Sequence, residues 1–533
     1  MSPRQIFWIL SFVVFLAIGL IALSWPPVLW ALVPTGILFA IGVKDIFGTR
    51  HSIRRNFPVI GNMRYMFEFI RPEIQQYFVE SETSGRPYSR ELRSVIYQRA
   101  KGVIDTRPFG TVRELDAEGT EWIEHSLAPV SPPDEPPRVM IGERQCSQPY
   151  NSSFLNSSAM SFGSLSKNAV LALSGGAKDA GFAMNTGEGG VSPYHLEGGG
   201  DLIWQIGTGY FGARTKDGNF DAARFKETAQ HPNVKMIELK LSQGAKPGHG
   251  GILPGRKVTP EIARIRGVEI GKDVLSPPFH RAFDTPQGLL EFLAQMRELS
   301  GGKPVGFKLC LGRPSEYFAV LKACLSTGLL PDFISVDGSE GGTGAAPLEF
   351  SNSIGHPLTE GLLFVHNGLI GTGLREHVRI VASGKVVTGF HMAQRLAIGA
   401  DVLAMARPMM FALGCIQALV CNRNTCPTGV ATQDPELAKG LHVGDKRRRV
   451  ANFHRATVHS MLEILAAAGL EHPIQLRPEH IWRRVDDRTI ENYEDIYDYL
   501  ELDDLVGGAI RTRSDEYGRR IARAWDKATA ERF

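Results

Sequence analysis

The sequence predicts an α/β protein, a (β/α)8 barrel with an N-terminal transmembrane hairpin and a helical C-terminal extension. From about residue 151, short apolar runs alternate with glycine-rich loops and with segments of helical period. Strands that alternate with helices imply right-handed crossovers and a parallel sheet, and about 290 residues of such units fit a (β/α)8 barrel. A doubly wound open sheet is the alternative, but no glycine-rich dinucleotide fingerprint follows the first strand.

Seven buried strands are predicted in this region, and the eighth is assumed from the fold. They are short apolar runs bounded by turn residues, which is the pattern of strands covered on both faces. Amphipathic helices, such as residues 286–300 and 315–327, lie between several of them. The predicted strands are residues 155–160, 182–185, 234–241, 305–310, 333–336, 378–382 and 402–406.

Composition excludes some classes of protein. The chain has 533 residues, 43% hydrophobic and 22% charged, which predicts a sizeable folded core. The formal net charge is only +3, and no basic stripe stands out, so nucleic acid is not expected as a partner. Three of the six cysteines are clustered, which favours a reducing compartment over a disulfide framework.

The first 43 residues predict a membrane anchor. No ionisable side chain stands between Arg4 and Lys44, and two apolar runs, about residues 6–24 and 27–43, are joined by a Trp-Pro-Pro turn. The first run is close to the ~20 residues that cross a bilayer core. A cleavable signal peptide is one alternative, but Trp-Pro-Pro makes a poor cleavage site. A second alternative is that residues 27–43 lie in the membrane interface.

Basic residues after the second run predict the orientation of the chain in the membrane and mark the first domain boundary. Arg50, Arg54 and Arg55 follow Lys44, so the positive-inside rule places the main body of the protein in the cytoplasm. A stiff PPDEPP linker at residues 132–137 marks another boundary. The expected domains are an anchor (1–48), a mixed α/β extension (49–145), the barrel (146–440) and a helical extension (441–533).

Cys415, Cys421 and Cys426 are spaced C-x5-C-x4-C. Soft thiolate ligands gathered this closely select iron–sulfur clusters, zinc or cuprous copper. A four-iron cluster normally takes four cysteines, and no fourth lies nearby, so three thiolates suit a [3Fe-4S] cluster. A zinc site completed by a non-cysteine ligand and three inert buried thiols are the alternatives.

The loops after the predicted strands are unusually rich in glycine, which lets the backbone approach a planar or phosphorylated ligand closely. Chemistry in a parallel barrel sits in these loops, and those after the last strands often bind phosphate. The candidates for such binding lie in the first loop, in the fifth loop and after the last two strands: Met160, Ser161, Gly341, Gly342, Ser383, Gly384, Ala406 and Arg407.

Three cations lie where a ligand of this kind would bind. Lys308 stands in an apolar strand, where it either snorkels from the barrel edge or serves an electron-rich ligand. Lys246 and Arg266 flank the third glycine-rich loop, as cations around a small dicarboxylate would, since arginine suits bidentate carboxylate binding. Ordinary surface charge is the alternative for that pair.

Taken together, these motifs resemble a known family over roughly residues 151–434. SFGSLS, TGEGG, LSQGAKPGHGGILPGRKV followed by IARIR, SPPFH, DGSEGGTGAAP and GC-x5-C-x4-CPTGVATQ are similar to the FMN-binding synthase domain of glutamate synthase. The resemblance implies a barrel that holds FMN beside a [3Fe-4S] cluster. It also implies reduction of the imine formed from 2-oxoglutarate and ammonia to L-glutamate.

The resemblance assigns roles to particular residues. The three cysteines of the motif fall at the cluster ligands, and Lys308 falls at the flavin-contacting lysine. Two positions depart from the family pattern: His249 replaces a glutamate in the third loop, and Ser383 replaces a glycine at the phosphate site. The residues that match the surroundings of 2-oxoglutarate are Glu188, Gln243, Lys246 and Arg266.

Neither a glutaminase domain nor a nicotinamide-binding domain is recognisable. The expectation is therefore that ammonia, free or derived from glutamine, and electrons, from a ferredoxin or a reductase subunit, come from outside the chain. Two other functions stay open. One keeps the cofactors but acts on another 2-oxo or N-substituted amino acid, as His249 suggests, and the other is an electron-transfer module of a membrane complex.

Overall fold

The computed structural model describes all 533 residues, which divide into two compact units, Met1–Arg90 and Glu91–Phe533. This division falls later than residue 48, where the sequence placed the first boundary. The smaller unit begins with a helix, Pro3–Ala22, capped by the Ser2 hydroxyl, and continues in Pro26–Phe47. Both helices are long and apolar enough to cross a membrane, with mean hydropathies of 2.5 and 1.8. Three further helical segments follow: Ser52–Asn56, Gly61–Ile74 and Gln75–Val79.

The larger unit contains a closed barrel of eight parallel strands, which confirms the predicted fold class. Val381 pairs with Val402, and Leu403 pairs with Leu155 to close the ring. The strand that the sequence did not predict is the third. In chain order, β1 to β8 are Leu155–Ser157, Ala183–Asn185, Asp201–Ile206, Val234–Lys240, Val305–Leu309, Phe333–Asp337, Arg379–Ser383 and Val402–Met405.

Helices surround the barrel because their apolar stripes pack on the strands. In Pro286–Leu299, Leu289, Leu293 and Met296 lie at helical spacing and are buried, and Thr285 caps the first turn. The other helices between the strands are Lys167–Ala180, Pro193–Gly198, Ala222–Ala229, Pro260–Arg266, Pro314–Thr327, Leu348–Ser353, Leu358–Gly371 and Gly389–Ile398, and Arg407–Leu413 follows β8.

The interior of the barrel has an apolar floor and a polar layer. The floor is a buried cluster that includes Tyr150, Met236 and Phe333, and a hairpin of Arg138–Ile141 with Tyr150–Ser153 contributes to it. In the polar layer, Glu238 is 4% exposed. Its carboxylate accepts hydrogen bonds from Asn185 (2.8 Å), Gln205 (2.7 Å) and Ser335. These donors satisfy a charge that burial would otherwise penalise.

The C-terminal extension is mainly helical and also adds two strands that were not expected. Its helices are Val443–Ala467 and Glu516–Lys527, preceded by Pro435–Lys439 and joined by the short helix Tyr493–Ile496. Ile481–Arg484 pairs with Ile490–Asn492 and with Glu121–Ile123 in an antiparallel sheet. The N-terminal side contributes one more helix, Arg90–Lys101, and a two-stranded pair, Ile252–Leu253 with Val274–Leu275, lies in the insertion after β4.

Candidate active site

The carboxyl ends of the eight strands form one rim of the barrel, and the predicted site residues lie along it. Because all the strands are parallel, loops distant in sequence meet there. Lys308 lies within β5 and Ser383 ends β7. Met160 and Ser161 follow β1, Glu188 follows β2, Gln243 and Lys246 follow β4, Gly341 and Gly342 follow β6, and Gly384, Ala406 and Arg407 follow β7 and β8.

A small charged pocket of about 60 Å³ opens at this rim. It is lined by Glu188, Lys246, Lys257 and Arg266, and also by Cys421 of the cysteine motif. Three cations against one carboxylate give the charged lining a net charge of +2. The pocket is therefore suited to a small anion with two negative charges.

Glu188 is held at this pocket by a lysine that the sequence reasoning missed. Lys240, the last residue of β4, is 7% exposed, and its Nζ lies 3.0 Å from Oε2 of Glu188. Burial raises the pKa of Glu188, but the charges of Lys240, Lys246 and Arg266 outweigh it and lower the pKa below its usual value. The carboxylate is thus ionised at neutral pH. The position of Lys240 at the end of an apolar strand could have identified it from the sequence, since the same feature identified Lys308.

Arg266, which lines the pocket, has one donor without a partner. Its Nη2 donates to the carbonyl of Phe162 at 3.1 Å, and its guanidinium carbon lies 5.2 Å from the centre of the Phe211 ring. Its Nε is buried and has no hydrogen-bond partner. Burial lowers the pKa of Arg266 to about 10, with Glu188 opposing the shift. An unsatisfied buried N–H in a cationic pocket indicates a site for a ligand oxygen.

Glycine in the second loop makes room for this guanidinium. A Cβ at Gly189 would lie 2.8 Å from Nη2 of Arg266 and 2.9 Å from Cβ of Ser161. The TGEGG motif therefore carries Glu188 and also admits Arg266. Gln243 behaves differently, because it does not line the pocket, although its Nε2 is likewise buried without a partner.

Lys308 projects from β5 beside two acidic side chains that the sequence reasoning also missed. Its Nζ lies 3.3 Å from Oδ2 of Asp337, which also accepts from the backbone N–H of Gly244 at 2.8 Å. Burial lowers the pKa of Lys308, but Asp337 and Glu238 raise it more, so the pKa lies above its usual value. Lys308 is consequently a buried, permanently charged ammonium rather than a snorkelling surface lysine.

The residues predicted to bind phosphate lie at the rim, where they contact neighbouring loop residues. The Ser383 hydroxyl lies 3.4 Å from that of Ser158. Nη2 of Arg407 donates to the carbonyl of Glu340 at 2.6 Å, and a Cβ on Gly342 would lie 2.9 Å from the Arg407 side chain. The fifth loop thus packs directly on Arg407.

The three cysteines occupy the loop that follows the helix Arg407–Leu413. Burial raises the pKa of Cys415 to about 12 and raises that of Cys421. Burial also raises the pKa of Cys426, but hydrogen bonds from the Thr428 hydroxyl and from the backbone N–H groups of residues 428, 430 and 431 lower it overall. No group of three or more His, Cys, Asp or Glu side chains has the geometry of a metal site, so the cluster stays a prediction.

Fold and site together define a (β/α)8-barrel enzyme with a dianion pocket at the rim and a cysteine-rich loop beside it. A family model described as "Conserved region in glutamate synthase" matches residues 131–471. The chain therefore belongs to the glutamate synthase family, and it is an oxidoreductase acting on CH–NH2 groups.

Two relatives support this assignment. The chain is 40% identical over 502 residues to the glutamate synthase large subunit-like protein YerD of Bacillus subtilis, covering 86% of this chain and 95% of that one. It is 34% identical over 320 residues to the archaeal-type glutamate synthase [NADPH] of Thermotoga maritima, covering 60% of each chain.

Solved structures resemble the chain more distantly. A flavocytochrome b2 variant with pyruvate bound covers 82% of this chain with 12% identity and a TM-score of 0.42. At this identity and TM-score the similarity does not bear on function.

Proposed function

We propose that the protein is a membrane-anchored glutamate synthase that forms L-glutamate from 2-oxoglutarate and ammonia, using FMN and a [3Fe-4S] cluster. The observation that carries this proposal is the rim pocket, whose charged lining sums to +2 and includes the buried Arg266, whose Nε has no hydrogen-bond partner. 2-Oxoglutarate has two carboxylates and therefore matches this charge.

Arg266, Lys246 and Glu188 each have a task in the pocket. Arg266 and Lys246 bind the two carboxylates of the substrate, since a guanidinium suits bidentate carboxylate contacts. In the pair of Lys240 and Glu188, Nζ donates to the ionised carboxylate over 3.0 Å. This pair takes a proton from ammonium and supplies one to the carbonyl oxygen that leaves as water, in the way of positioned acids and bases.

The rim carries the kinds of hydrogen-bond donor and positive charge that FMN needs. The buried ammonium of Lys308 offers a fixed positive charge to an electron-rich ring, and its partner Asp337 holds it in place. The Ser383 hydroxyl and the Arg407 guanidinium are donors of the kind that phosphate binds. Met160, Ser161, Gly341, Gly342, Gly384 and Ala406 complete the proposed FMN-binding set.

The cysteine loop suits a cluster in two respects. Backbone and hydroxyl donors already converge on Cys426, as hydrogen bonds to sulfur do around iron–sulfur clusters. Three residues between Cys415 and Cys426 have left-handed backbone angles, namely Gln417, Leu419 and Asn424. Such strained positions concentrate at ligand-binding loops. When bound, the cluster supplies single electrons and FMN supplies hydride to the substrate.

The two apolar helices are proposed as the anchor, with the barrel in the cytoplasm. Their length and composition suit membrane spans, and Arg50, Arg54 and Arg55 follow the second of them. Electrons would come from an external ferredoxin or reductase subunit, and ammonia from solution or from a partner that hydrolyses glutamine.

His249, which suggested another substrate, does not line the pocket. Its ring packs against that of Phe350, with centroids 5.1 Å apart. The pocket charge thus supports a dicarboxylate, and no contact of His249 favours a different oxo acid.

The test is production of glutamate by the full-length protein in detergent. Flavin and iron are measured first, and then ammonium and a panel of 2-oxo acids are supplied with a chemical reductant. We expect glutamate from 2-oxoglutarate and little product from monocarboxylic oxo acids. Flavin-loaded protein that makes no glutamate, or that prefers another oxo acid, overturns the proposal.

A further inference from the structure

The helix Gly61–Ile74 and the turn Gln75–Val79 carry an apolar stripe that the other residues of the smaller unit do not cover. The stripe members recur three or four residues apart, which places them on one face of a helix. Six of them are between 41% and 84% exposed, and Ile70 is half-buried. The stripe consists of Met63, Met66, Phe67, Ile70, Ile74, Tyr77 and Phe78.

The opposite face of the same helix is already occupied. The guanidinium carbon of Arg54 lies 4.3 Å from the centre of the Tyr65 ring, and the His51 ring lies 4.7 Å from it. A Cβ on Gly61 would lie 2.9 Å from Cα of Arg54. The helix is thus packed through Gly61 and Tyr65, on the side away from the stripe.

The start of this helix is fixed to the polar end of the two apolar helices. Nε of Arg4 donates to the carbonyl of Arg55 at 2.7 Å. Oδ2 of Asp45 accepts from the backbone N–H of Val59 at 3.0 Å and from the Asn62 side chain. Arg4 and Asp45 lie where the apolar runs end, so the segment that they bind begins at the depth of the membrane surface.

Charge and continuity indicate what covers the stripe. Residues 44–79 contain six Lys and Arg against three Asp and Glu, a net charge of +3. Arg64 and Arg71 lie along one side of the stripe. Phe57 and Ile60, just before the helix, line an apolar cavity of about 350 Å³ with side chains of the two apolar helices, so the apolar surface is continuous. An apolar face with a cationic border is typical of helices that lie in the membrane interface.

We infer that residues 61–79 lie on the cytoplasmic surface of the bilayer, with the stripe in the acyl boundary and the arginines among anionic phospholipid headgroups. This inference rests on the proposed membrane anchor. It adds a third membrane contact that orients the chain where it leaves the hairpin.

The test uses photo-crosslinking of the full-length protein in vesicles of phosphatidylethanolamine and phosphatidylglycerol. p-Benzoylphenylalanine is placed singly at Phe67 and Phe78 of the stripe, at Glu68 on the polar face, and at Leu16 in the first apolar helix. Glu68 is the matched control, because its side chain is 51% exposed and Phe67 is 53% exposed. Lipid adducts are quantified by mass spectrometry.

We expect lipid adducts at positions 16, 67 and 78, with about tenfold less at position 68. Adducts at position 16 alone overturn the interfacial helix and leave the anchor standing, whereas no adduct at position 16 overturns the anchor itself. Protein crosslinks in place of lipid at positions 67 and 78 show that a protein covers the stripe. Equal lipid-adduct yields at positions 67 and 68 show that lipid does not contact the stripe in preference to the polar face. Either result overturns the inference. An unchanged yield at position 67 in vesicles of phosphatidylcholine alone overturns the role of anionic lipid.

Discussion

Lys240 and Lys308 occupy paired positions on the neighbouring strands β4 and β5, and each ammonium has its own carboxylate. Lys240 pairs with Glu188 at 3.0 Å, and Lys308 pairs with Asp337 at 3.3 Å. Two buried lysines side by side would repel each other without these partners. The two pairs therefore lie in different parts of the rim. Glu188 lines the dianion pocket, whereas Asp337 contacts the third loop through Gly244.

Replacing Lys240 by methionine tests the first of these pairs. Lys240→Met removes the proton partner of Glu188 and leaves that carboxylate with less compensation. We expect glutamate formation to fall by about 10²–10⁴-fold, the range of a lost acid–base group. The measurement is the rate of glutamate formation at saturating 2-oxoglutarate.

Lys235→Met is the matched control for this variant. Lys235 lies on the same strand, its side chain is 39% exposed, and its ion pair with Asp201 is 3.9 Å long. We expect its rate to stay within about twofold of the wild type, as for most surface changes. Full activity in Lys240→Met would show that the pair with Glu188 only holds the loop in place.

The geometry of Arg266 gives a separate prediction about substrate affinity. Arg266→Lys keeps the charge but removes the planar donors and the contact with Phe211. Losing a charged hydrogen bond costs about 1.5–3 kcal/mol, so the KM for 2-oxoglutarate should rise roughly 10- to 100-fold.

Arg264→Lys serves as the control for that change. Arg264 lies on the same helix, two residues earlier, and is exposed. Its KM should match that of the wild type. Equal KM values for the two variants would exclude Arg266 from substrate binding.

The barrel was predictable from sequence because most of its strands are apolar runs between glycine-rich loops. The strand Asp201–Ile206 escaped notice because it begins with a charge and contains Gln205. The buried amide of Gln205 is satisfied by donating to Glu238 at 2.7 Å. That partner lies 33 residues away, and no local pattern indicates the pairing.

The site was predictable in part for the same reason. Glu188, Lys246 and Arg266 belong to motifs, and the structure brings all three to one pocket. Lys240 and Asp337 could not be assigned to the site from the sequence, because only the strand register places them beside Glu188 and Lys308. Periodicity does not specify such long-range pairs, and neither does composition.

Removing the cysteines one at a time tests the proposed cluster. Cys415→Ser, Cys421→Ser and Cys426→Ser should each lose iron and the paramagnetic signal of the oxidised cluster, since thiolates are the ligands that such clusters require. Cys324→Ser is the control, because Cys324 is buried in the helix Pro314–Thr327. Anaerobic iron and sulfide analysis provides the measurement. Iron retained in the first three variants, or zinc in place of iron, would refute the assignment.

The stability of the barrel is predicted to fall with acid partly through His454. This histidine is 4% exposed and stacks on Phe182, with ring centroids 4.3 Å apart. Its Nε2 lies 2.9 Å from the carbonyl of Leu155, which makes Nε2 the protonated nitrogen. Nδ1 is buried and has no partner, so a second proton would find no acceptor. Burial lowers the pKa of His454 to about 4, although the Leu155 carbonyl opposes the shift.

The sign of this effect follows from proton linkage. Between the usual pKa of about 6.5 and the folded value of about 4, the unfolded chain binds a proton that the folded chain excludes. The contribution is therefore complete above pH 6.5 and is lost as the pH falls, by about 1.4 kcal/mol per pH unit.

His454→Gln should remove this share of the pH dependence. From pH 6.5 to 5.0 the variant should lose about 1.6 kcal/mol less than the wild type in free energy of unfolding, measured by urea titration of the detergent-solubilised protein. His459→Gln is the control on the same helix, because His459 is exposed, with its side chain at 63%, and its curve should follow that of the wild type. Parallel curves for His454→Gln and the wild type would show that His454 does not resist protonation in the folded state.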